Sequence, residues 1–414
     1  MSRLEPTNEA SAMQKEISAI AEQGGGTTKV EQLIQQHCPN GVEYKKLGEV
    51  LSVNRGRRLT KVQLSEDGQY YVYHGSKDTP LGKYSQFNVK GNTTIVVNTG
   101  GIGGVKFCDD DFWCSDGSFW IGHSDLFNDK FVYYYLSPLE PYFASQKRVG
   151  GVPTIDRSVV ENVEIPIPPL PVQEEIVRIL DNFTELQAEL QAELQKRLQQ
   201  YNYYRNQLLS FEDNNTRILQ LQQCVSDDCS MSYGIVQPGD DYLGGIPVVR
   251  PVDLSKRIIH IQGIKTIKPE LLNSYSRTKL KGGELLVCVR GTTGMVSFAG
   301  DDLRGGNVSR GIVPLRFNSL VDAHYMYHLF NSDYVRTQIG DKTRGAALQQ
   351  INVGDLKKIL IPVPPITEQK RIASILDRFD ALTNDLSQGL PAEIEARRKQ
   401  YEYYRDQLLT FKQK

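Results

Sequence analysis

The feature that most constrains this chain is an internal repeat. The proline-rich segment at residues 165–173 (IPIPPLPVQ) returns at residues 361–369 (IPVPPITEQ), and residues 201–211 (YNYYRNQLLSF) return at residues 401–411 (YEYYRDQLLTF). A fainter copy relates residues 96–107 (VVNTGGIGGVKF) to residues 287–298 (VCVRGTTGMVSF). The chain therefore reads as variable segment, conserved segment, variable segment, conserved segment, which predicts two copies of one structural unit.

The two conserved segments are predicted to be helical. Prolines cannot continue a helix, so each proline cluster ends one domain and starts a helix after it. Residues 172–211 then place apolar side chains at steps of three and four, which indicates one long helix of about 60 Å. Gly389 and Pro391 predict that the second copy is broken into two helices. Because the stripe is duplicated, we expect the helices to pack as an antiparallel coiled coil with pseudo-twofold symmetry.

The two variable segments show β-type runs divided by glycines, at residues 70–74, 93–98, 246–250 and 284–290, together with a short helix at residues 323–330. The predicted fold class is α+β, with two mixed α/β domains separated by the long helices. The predicted divisions are an N-terminal segment (1–43), a first domain (44–150), a first helical region (151–211), a second domain (212–346) and a second helical region (347–414). Within the first of these, residues 30–37 are expected to form a short helix near the C-terminal one.

Composition restricts the class of protein. Hydrophobic residues make up 39% of the 414 residues and charged residues 23%, without an apolar run of the roughly 20 residues that a membrane span needs. The polar N-terminus argues against a secretory signal, so we expect a cytoplasmic protein. The six cysteines are scattered, which indicates reduced thiols rather than a metal site.

Net charge argues against nucleic-acid binding at first sight. The formal charge is −1, and phosphate neutralisation usually needs a basic surface. The variable segments, however, hold 13 basic and 11 acidic residues at 44–150, and 16 and 14 at 212–346. This leaves room for local basic faces in both domains.

Motifs for catalysis are missing from the sequence. It lacks a phosphate-binding G-x-x-x-x-G-K-[ST] loop and the Asn-Pro-Pro-aromatic motif of an amino-methyltransferase, and its glycine groups at 100–104 and 291–294 read as tight turns. Asp109, Asp110, Asp111 and Asp116 could be imagined as a metal or nuclease cluster, but adjacent acids on a loop are usually a solvated face. We therefore predict no catalytic residue, no metal and no cofactor, which disfavours a polypeptide that carries methylase and nuclease activities of its own.

Three repeated features resemble the conserved regions of type I restriction-modification specificity subunits. They are the proline cluster followed by Gln173 and residues 176–183, its copy at Gln369 and residues 372–379, and the paired YYR endings. The resemblance spans nearly the whole chain. It implies that the two variable domains are target recognition domains, each of which reads half of a split double-stranded DNA site. It also implies that the helices set the spacing and bind two methyltransferase subunits, in a complex that a translocating endonuclease subunit joins. The methylation of adenine and the cleavage of DNA would belong to those partners.

Candidate DNA contacts are polar residues beside glycine turns, because arginine pairs with guanine edges and other basic groups hold phosphate. In the first domain they are Arg55, Arg57, Arg58, His74, Ser76, Lys77, Thr99, Lys147 and Arg148. In the second domain they are Arg250, Tyr275, Arg277, Arg290, Thr292, Arg310, Lys342 and Arg344. An ordinary surface role is the alternative for each residue, and the aligned pairs Thr99 with Arg290 and Arg148 with Arg344 are the strongest candidates.

The helices carry the remaining candidates. Methyltransferase docking is assigned to the repeated aromatic and basic residues Tyr201, Tyr204, Arg205, Tyr401, Tyr404 and Arg405. Residues 186–193 read Leu-Gln-Ala-Glu twice, and in similar subunits such repeats tune the gap between the half-sites. The alternative function is a coiled-coil scaffold that binds only protein, and retardation of a specific duplex over a random duplex separates the two.

Overall fold

The computed structural model describes residues 29–148, 152–211, 216–345, 349–385 and 389–414. The chain divides into two compact units. Unit 1 comprises Met1–Glu189 and Glu395–Lys414, and unit 2 comprises Leu190–Ile394. Most of the predicted N-terminal segment and the predicted domain limits at residues 150, 212 and 346 lie outside the described residues.

Unit 1 is a mixed α/β unit. Its helices are α1 (Lys29–His37), α2 (Leu47–Val50), α3 (Asp129–Leu136), α4 (Glu140–Ser145), α5 (Arg157–Glu161) and the first half of α6 (Leu170–Leu208). Its strands are β1 (Tyr44–Lys46), β2 (Val53–Arg55), β3 (Tyr70–Tyr73), β4 (Gly82–Tyr84), β5 (Thr93–Val97), β6 (Val105–Cys108), β7 (Trp113–Cys114), β8 (Ser118–Ile121) and β9 (Glu164–Pro166). Short 3₁₀ turns lie at Lys61–Gln63 and Ser137–Leu139.

Unit 2 repeats this content. After the second half of α6 its helices are α7 (Leu221–Cys224), α8 (Ala323–Phe330), α9 (Asp333–Lys342), α10 (Val353–Leu356) and α11 (Ile366–Asn384); α12 (Leu390–Leu408) begins in unit 2 and ends in unit 1. Its strands are β10 (Arg217–Gln220), β11 (Ile246–Val249), β12 (Ile258–Ile259), β13 (Thr266–Ile267), β14 (Leu285–Cys288), β15 (Val296–Ala299), β16 (Asn307–Val308), β17 (Ile312–Leu315) and β18 (Leu360–Val363). The 3₁₀ turns are Pro251–Asp253, Pro269–Thr278 and Asp301–Leu303.

Strand pairing shows that the two units share one topology. In unit 1, β3 is central, antiparallel to β4 and parallel to β7; in unit 2, β11 is antiparallel to β13 and parallel to β16. Likewise β5 lies between β6 and β8, and β14 between β15 and β17, with every pair antiparallel. The fourth strand of each sheet is not shared, because β2 pairs antiparallel with β8 whereas β12 pairs parallel with β15, the counterpart of β6, at the opposite edge.

Four strands and one helix form at the runs that the sequence predicts. The run at residues 93–98 becomes β5, and the run at 284–290 becomes β14; every residue of both strands is buried. A strand buried on both faces reads as a continuous apolar run, which is why these two were visible in the sequence. The runs at 70–74 and 246–250 become β3 and β11, and residues 323–330 become helix α8, so the predicted mixed α/β fold is confirmed.

The helical repeat is confirmed as well. Helix α6 is one uninterrupted helix of 39 residues, whereas the second copy ends at Asn384 and restarts at Leu390, with Pro391 in the first turn of α12. In unit 1, Phe183 of α6 stacks on Tyr404 of α12 with ring centroids 5.7 Å apart. In unit 2, the equivalent Phe379 of α11 stacks on Tyr204 of α6 at 5.6 Å. Each unit therefore pairs the beginning of one helical region with the tyrosine-rich end of the other, which is the pairing that antiparallel helices make.

A buried glutamine at each proline cluster joins the helix to its own domain. Gln173 accepts a hydrogen bond from the Asn128 amide (2.8 Å) and donates to the carbonyls of Leu126 (2.9 Å) and Pro168 (2.7 Å). In the second copy Gln369 makes the same three contacts, with Asp322 (2.9 Å), Leu320 (2.9 Å) and Pro364 (2.8 Å). Neither glutamine is exposed to solvent. The repeated glutamine thus fixes the position of the helix start against the loop before α3 or α8.

The short helix α1 belongs to the core of unit 1. Val30 is buried in the same cluster as Leu409, and Lys29 pairs with Glu175 of α6 at 2.8 Å. After α1, Val42 forms an isolated β-bridge with Gln413, near the end of the chain. All six cysteines are free thiols, and five of them are buried.

Candidate nucleic-acid interface

In unit 1 the structure brings Thr99 and Arg148 together. Both form isolated β-bridges with the same residue, Thr154, and the Arg148 amide donates to the Thr154 carbonyl at 2.9 Å. Thr99 immediately precedes Gly100, whose φ of +78° marks the turn that follows β5. A side chain at Gly100 would lie 2.6 Å from the Gly75 carbonyl, so this close approach of two loops requires glycine.

In unit 2 the structure brings Arg290 and Arg344 together in the same way. Both bridge to Gln350, and the Arg344 and Gln350 backbones exchange two hydrogen bonds of 2.9 Å. Arg290 precedes Gly291, which has φ of +91° and donates to the Gln349 carbonyl at 2.8 Å. The pairs Thr99 with Arg290 and Arg148 with Arg344, which the internal repeat predicts to correspond, therefore occupy equivalent positions in the two units.

Other candidates of unit 1 lie around the turn at Asp116 and Gly117. The Gly117 amide donates to Nδ1 of His74 at 3.1 Å, and the Asp116 carbonyl accepts from Nε of Arg55 at 3.4 Å. Ser76 follows on the same loop as His74, and its hydroxyl accepts from the Thr79 amide at 3.1 Å. Three loops, after β3, β5 and β7, thus meet at one end of the sheets.

The remaining candidates of unit 1 differ in whether an acidic side chain binds them and in whether their side chains are exposed. Lys77 is held by both carboxylate oxygens of Glu140 at 2.7 Å, and Arg148 forms an ion pair with Asp156. Arg57 is fixed through its backbone, because its carbonyl accepts from the Trp113 indole at 2.7 Å while its side chain stays exposed. Arg58 and Lys147 are exposed to solvent.

In unit 2 the loops of Arg250, Arg290 and Arg310 converge on Gly311. A Cβ at Gly311 would lie 2.5 Å from Pro251 and 3.7 Å from the Cβ of Arg290. Arg250 itself binds Asp253 through Nε (3.1 Å) and Nη2 (2.9 Å).

The structure places the other candidates of unit 2 around this point or further away. The Tyr275 hydroxyl accepts from the Val236 amide at 3.5 Å, and the Tyr275 carbonyl accepts from Asn307 at 2.9 Å. Thr292 is exposed in the turn after Arg290, and Lys342 is the last residue of α9. Arg277 is exposed near the end of the Pro269–Thr278 turn, and its carbonyl accepts from the Ser230 hydroxyl at 3.4 Å.

The residues assigned to partner docking are used largely inside each unit. In unit 2, Tyr201 is buried with its hydroxyl 3.1 Å from Nδ1 of His328, and the Arg205 guanidinium lies over the Tyr201 ring at 5.1 Å. In unit 1, Arg405 lies over Tyr401 at 5.7 Å. Tyr204 and Tyr404 present one ring face to the equivalent phenylalanine.

Sequence reasoning missed the most exposed aromatic residues of this motif, Tyr203 and Tyr403. Their exposed fractions are 59% and 60%. Gln207 donates to the Tyr203 hydroxyl at 2.7 Å, and Gln407 donates to the Tyr403 hydroxyl at 2.8 Å. Both tyrosines fall outside the apolar stripe yet recur in both copies, and that combination could have identified them.

A polar cluster joins each helical region to its domain, and it differs between the units. In unit 1, Asp181 accepts from Lys130 (2.9 Å) and from the Tyr134 hydroxyl (2.6 Å). Burial and the hydrogen bond to Asp181 both raise the pKa of Tyr134. In unit 2 the equivalent Asp377 contacts Arg257, His324 and His328.

Both acidic and basic groups of the unit 2 cluster are perturbed. Burial alone would raise the pKa of Asp377, but the His328 hydrogen bond and the Arg257 charge hold it well below its usual range. Burial lowers the pKa of His328 despite its bond to Asp377 at 2.6 Å. The neutral ring is fully bonded, since Nε2 donates to Asp377 while Nδ1 accepts from Tyr201.

Across the described ranges, no group of three histidine, cysteine, aspartate or glutamate side chains is placed to hold a metal ion. In the part of the chain that the structure covers, no helix has both the length and the apolar character to cross a membrane.

Comparison with known proteins identifies the class. The family model described as the type I restriction modification DNA specificity domain matches residues 39–200 and again residues 240–396. The chain therefore belongs to the family of type I restriction-modification specificity subunits, which are the non-catalytic components of those complexes. The two matches follow the internal repeat, as the sequence resemblance implied.

Individual relatives agree with this assignment. The chain is 31% identical over 392 residues to a putative type I restriction enzyme specificity subunit of Haemophilus influenzae, covering 89% of this chain and 96% of the relative. It is 35% identical over 303 residues to the EcoR124I/EcoR124II specificity subunit of Escherichia coli, covering 68% and 70%.

Solved structures show the same fold. The S subunit of a type I restriction-modification system from M. genitalium matches with a TM-score of 0.60 at 15% identity, covering 89% of this chain and 96% of that one. A chain from a study of assembly and conformational transition of the type I restriction-modification system matches with a TM-score of 0.54 at 18% identity, covering 90% and 98%.

Proposed function

We propose that this chain is the subunit that gives a type I restriction-modification complex its DNA sequence specificity. In this proposal residues 44–150 and 212–346 are two target recognition domains, each of which binds one half of a bipartite site in double-stranded DNA. The observation that carries it is the equivalent placement of Thr99 with Arg148 in unit 1 and of Arg290 with Arg344 in unit 2. Polar side chains on convergent loops are what reading of base edges requires.

The helical regions are proposed to set the distance between the half-sites. The division between the two units falls between Glu189 and Leu190, which is also the junction of the two Leu-Gln-Ala-Glu repeats at residues 186–193. An insertion there lengthens the continuous helix α6 by about 6 Å for four residues. The repeat is therefore well positioned to act as the spacer.

The same helical regions are proposed to bind two methyltransferase subunits. Tyr203 with Gln207, and Tyr403 with Gln407, form two surfaces of matching geometry. Exposed tyrosines supply large contact area with few rotatable bonds and are enriched at protein interfaces. A duplicated surface fits two copies of one partner, and the endonuclease subunit would join through that complex.

The test is to sequence modified bases in cells that express the chain with its methyltransferase partner. The expected result is methylation within one bipartite, asymmetric motif that has a fixed gap. Methylation at scattered positions, or a purified complex that retards a random duplex as well as the motif, would contradict DNA specificity. A purified complex that retards neither duplex would favour a scaffold that binds only protein.

A further inference from the structure

The shared topology of the two units defines three equivalent loop positions, which we call the reading positions. They are the first residue after β3 or β11, the second residue after β5 or β14, and the second residue after β7 or β16. In unit 1 these residues are His74, Thr99 and Asp116, and in unit 2 they are Arg250, Arg290 and Arg310. For Asp116, as for the acidic residues at 109–111, the sequence predicts only a solvated face.

Backbone hydrogen bonds confirm that the positions are equivalent. The Ser115 amide donates to Tyr73 at 2.9 Å in unit 1, and the Ser309 amide donates to Val249 at 2.9 Å in unit 2. Residues 98 and 289, which directly precede Thr99 and Arg290, donate to the carbonyls of Gly117 (3.0 Å) and Gly311 (2.8 Å). The same strand ends are therefore tied together in both units, although the side chains that they present differ.

In unit 2 two of the three reading positions, those of Arg290 and Arg310, present guanidinium groups that have no partner among the described residues, whereas the guanidinium of Arg250 binds Asp253. Arg310 is exposed, and neither Arg290 nor Arg310 has a side-chain hydrogen bond or ion pair among the described residues. Nε of Arg290 is buried without an acceptor. Such a donor is costly to leave unpaired, so it favours a ligand that brings acceptors to it.

In unit 1 the same positions present an acceptor instead. The Asp116 carboxylate accepts from the Ser115 hydroxyl at 3.2 Å and lies 3.4 Å from Nδ1 of His74. Nδ1 of His74 accepts from the Gly117 amide at 3.1 Å and therefore does not donate to Asp116. Thr99 donates to the Pro153 carbonyl at 3.3 Å. The acceptor groups of Asp116 therefore dominate at this end of unit 1.

We propose that the two units read opposite hydrogen-bonding edges of DNA, and this rests on the proposed function. Unit 2 reads guanine through Arg290 and Arg310, because a guanidinium donates to O6 and N7 of guanine at once. Unit 1 reads cytosine through Asp116, because a carboxylate accepts from the cytosine N4 amino group in the major groove. The two half-sites differ because equivalent positions carry opposite chemistry.

The test compares methylation motifs of complexes that contain the wild-type chain, Arg310→Ala or Asp116→Asn. Arg310→Ala is expected to relax one G·C pair of one half-site by about ten- to hundredfold and to leave the other half-site unchanged. Asp116→Asn is expected to alter a cytosine position in the other half-site only. The matched control is Arg304→Ala, an exposed arginine of unit 2 that lies 3.8 Å from Asp301 and outside the reading positions.

The unchanged half-site reports in each case that the complex is folded. Relaxation at an A·T pair, relaxation of both half-sites, or a motif that stays the same in Arg310→Ala would overturn the proposal. If wild-type cells show no bipartite motif at all, the proposed function fails first, and the two failures are thereby distinguished.

A second measurement uses the wild-type complex and changes the DNA instead of the protein. Replacing one guanine of the motif by 7-deazaguanine removes the N7 acceptor but keeps base pairing. Binding of the wild-type complex should weaken about tenfold at the guanines read by unit 2 and stay unchanged at other guanines. Equal binding of every substituted duplex would refute reading of guanine by unit 2.

Discussion

The buried Gln173 offers the sharpest test of how the helical repeat is joined to its domain. Replacing it with alanine removes three hydrogen bonds, to Asn128, Leu126 and Pro168, of 2.7 to 2.9 Å. A typical internal hydrogen bond contributes about 1 kcal/mol net, and a buried backbone group left unpaired costs about 1–3 kcal/mol. Water can reach the exposed side of Leu126, so we expect a loss of about 2–4 kcal/mol rather than the full sum.

The assay is urea unfolding followed by tryptophan fluorescence. Both tryptophans of the chain, Trp113 and Trp120, lie in unit 1, so the fluorescence reports unfolding of that unit. Gln173→Ala should lower the midpoint of this transition, whereas Gln369→Ala should act on unit 2 and appear mainly in circular dichroism. Gln173→Leu keeps most of the side-chain volume, so it separates lost hydrogen bonds from lost packing.

The matched control is Glu185→Ala, an exposed residue in the unit 1 half of the same helix, whose effect should stay within about 0.5 kcal/mol. The reasoning is refuted if Gln173→Ala is no more destabilising than this control. A Gln173→Leu variant as stable as the wild type would show that packing, and not the hydrogen bonds, holds the joint.

Three further predictions concern the spacer, the unit 2 cluster and partner docking. Inserting one more Leu-Gln-Ala-Glu within residues 186–193 should lengthen the gap of the methylated motif by about one base pair, allowing for helix tilt; an unchanged gap contradicts the spacer role. Burial lowers the pKa of His328 in the folded chain. As the pH falls below about 6.5, the unfolded chain therefore binds a proton before the folded chain does. The free energy of unfolding should fall over this range, down to the lower pKa of the folded chain. His328→Gln should flatten this part of the curve of unfolding free energy against pH, and an unaltered slope rules the mechanism out. Replacing Tyr203 and Tyr403 together with alanine should weaken capture of the methyltransferase subunit at least tenfold by calorimetry, whereas replacing Tyr71, another exposed tyrosine, with alanine should not; equal binding by both variants removes Tyr203 and Tyr403 from the interface.

The difference between the unit 2 cluster and its unit 1 counterpart shows how one scaffold tolerates different chemistry. Asp181 and Asp377 occupy the same place, but lysine and tyrosine face the first while arginine and two histidines face the second. The carboxylate is kept because each cluster needs one acceptor for several donors. Acid should therefore weaken the unit 2 cluster through His328, a group that the unit 1 cluster lacks.

The sequence by itself determined the elements whose signal is local. The helical repeat was visible because apolar side chains recur at steps of three and four, and Gly389 and Pro391 marked the break because neither residue favours a helix interior. Strands β5 and β14 were visible because a strand buried on both faces is a nearly continuous run of apolar and β-branched residues. The family followed from the same repeated segments, since they carry the motifs.

Only the tertiary structure decided which polar residues meet. Asp116 is distant in sequence from His74 and Thr99, and no periodicity reports the convergence of three loops at one end of the sheets. The burial of Tyr201 and Arg205 and the exposure of Tyr203 depended on what packs against each face of the helix, which a single helix does not encode. Periodicity fixes how a segment folds along its own axis, whereas the grouping of side chains from separate loops is fixed by strand pairing across the chain.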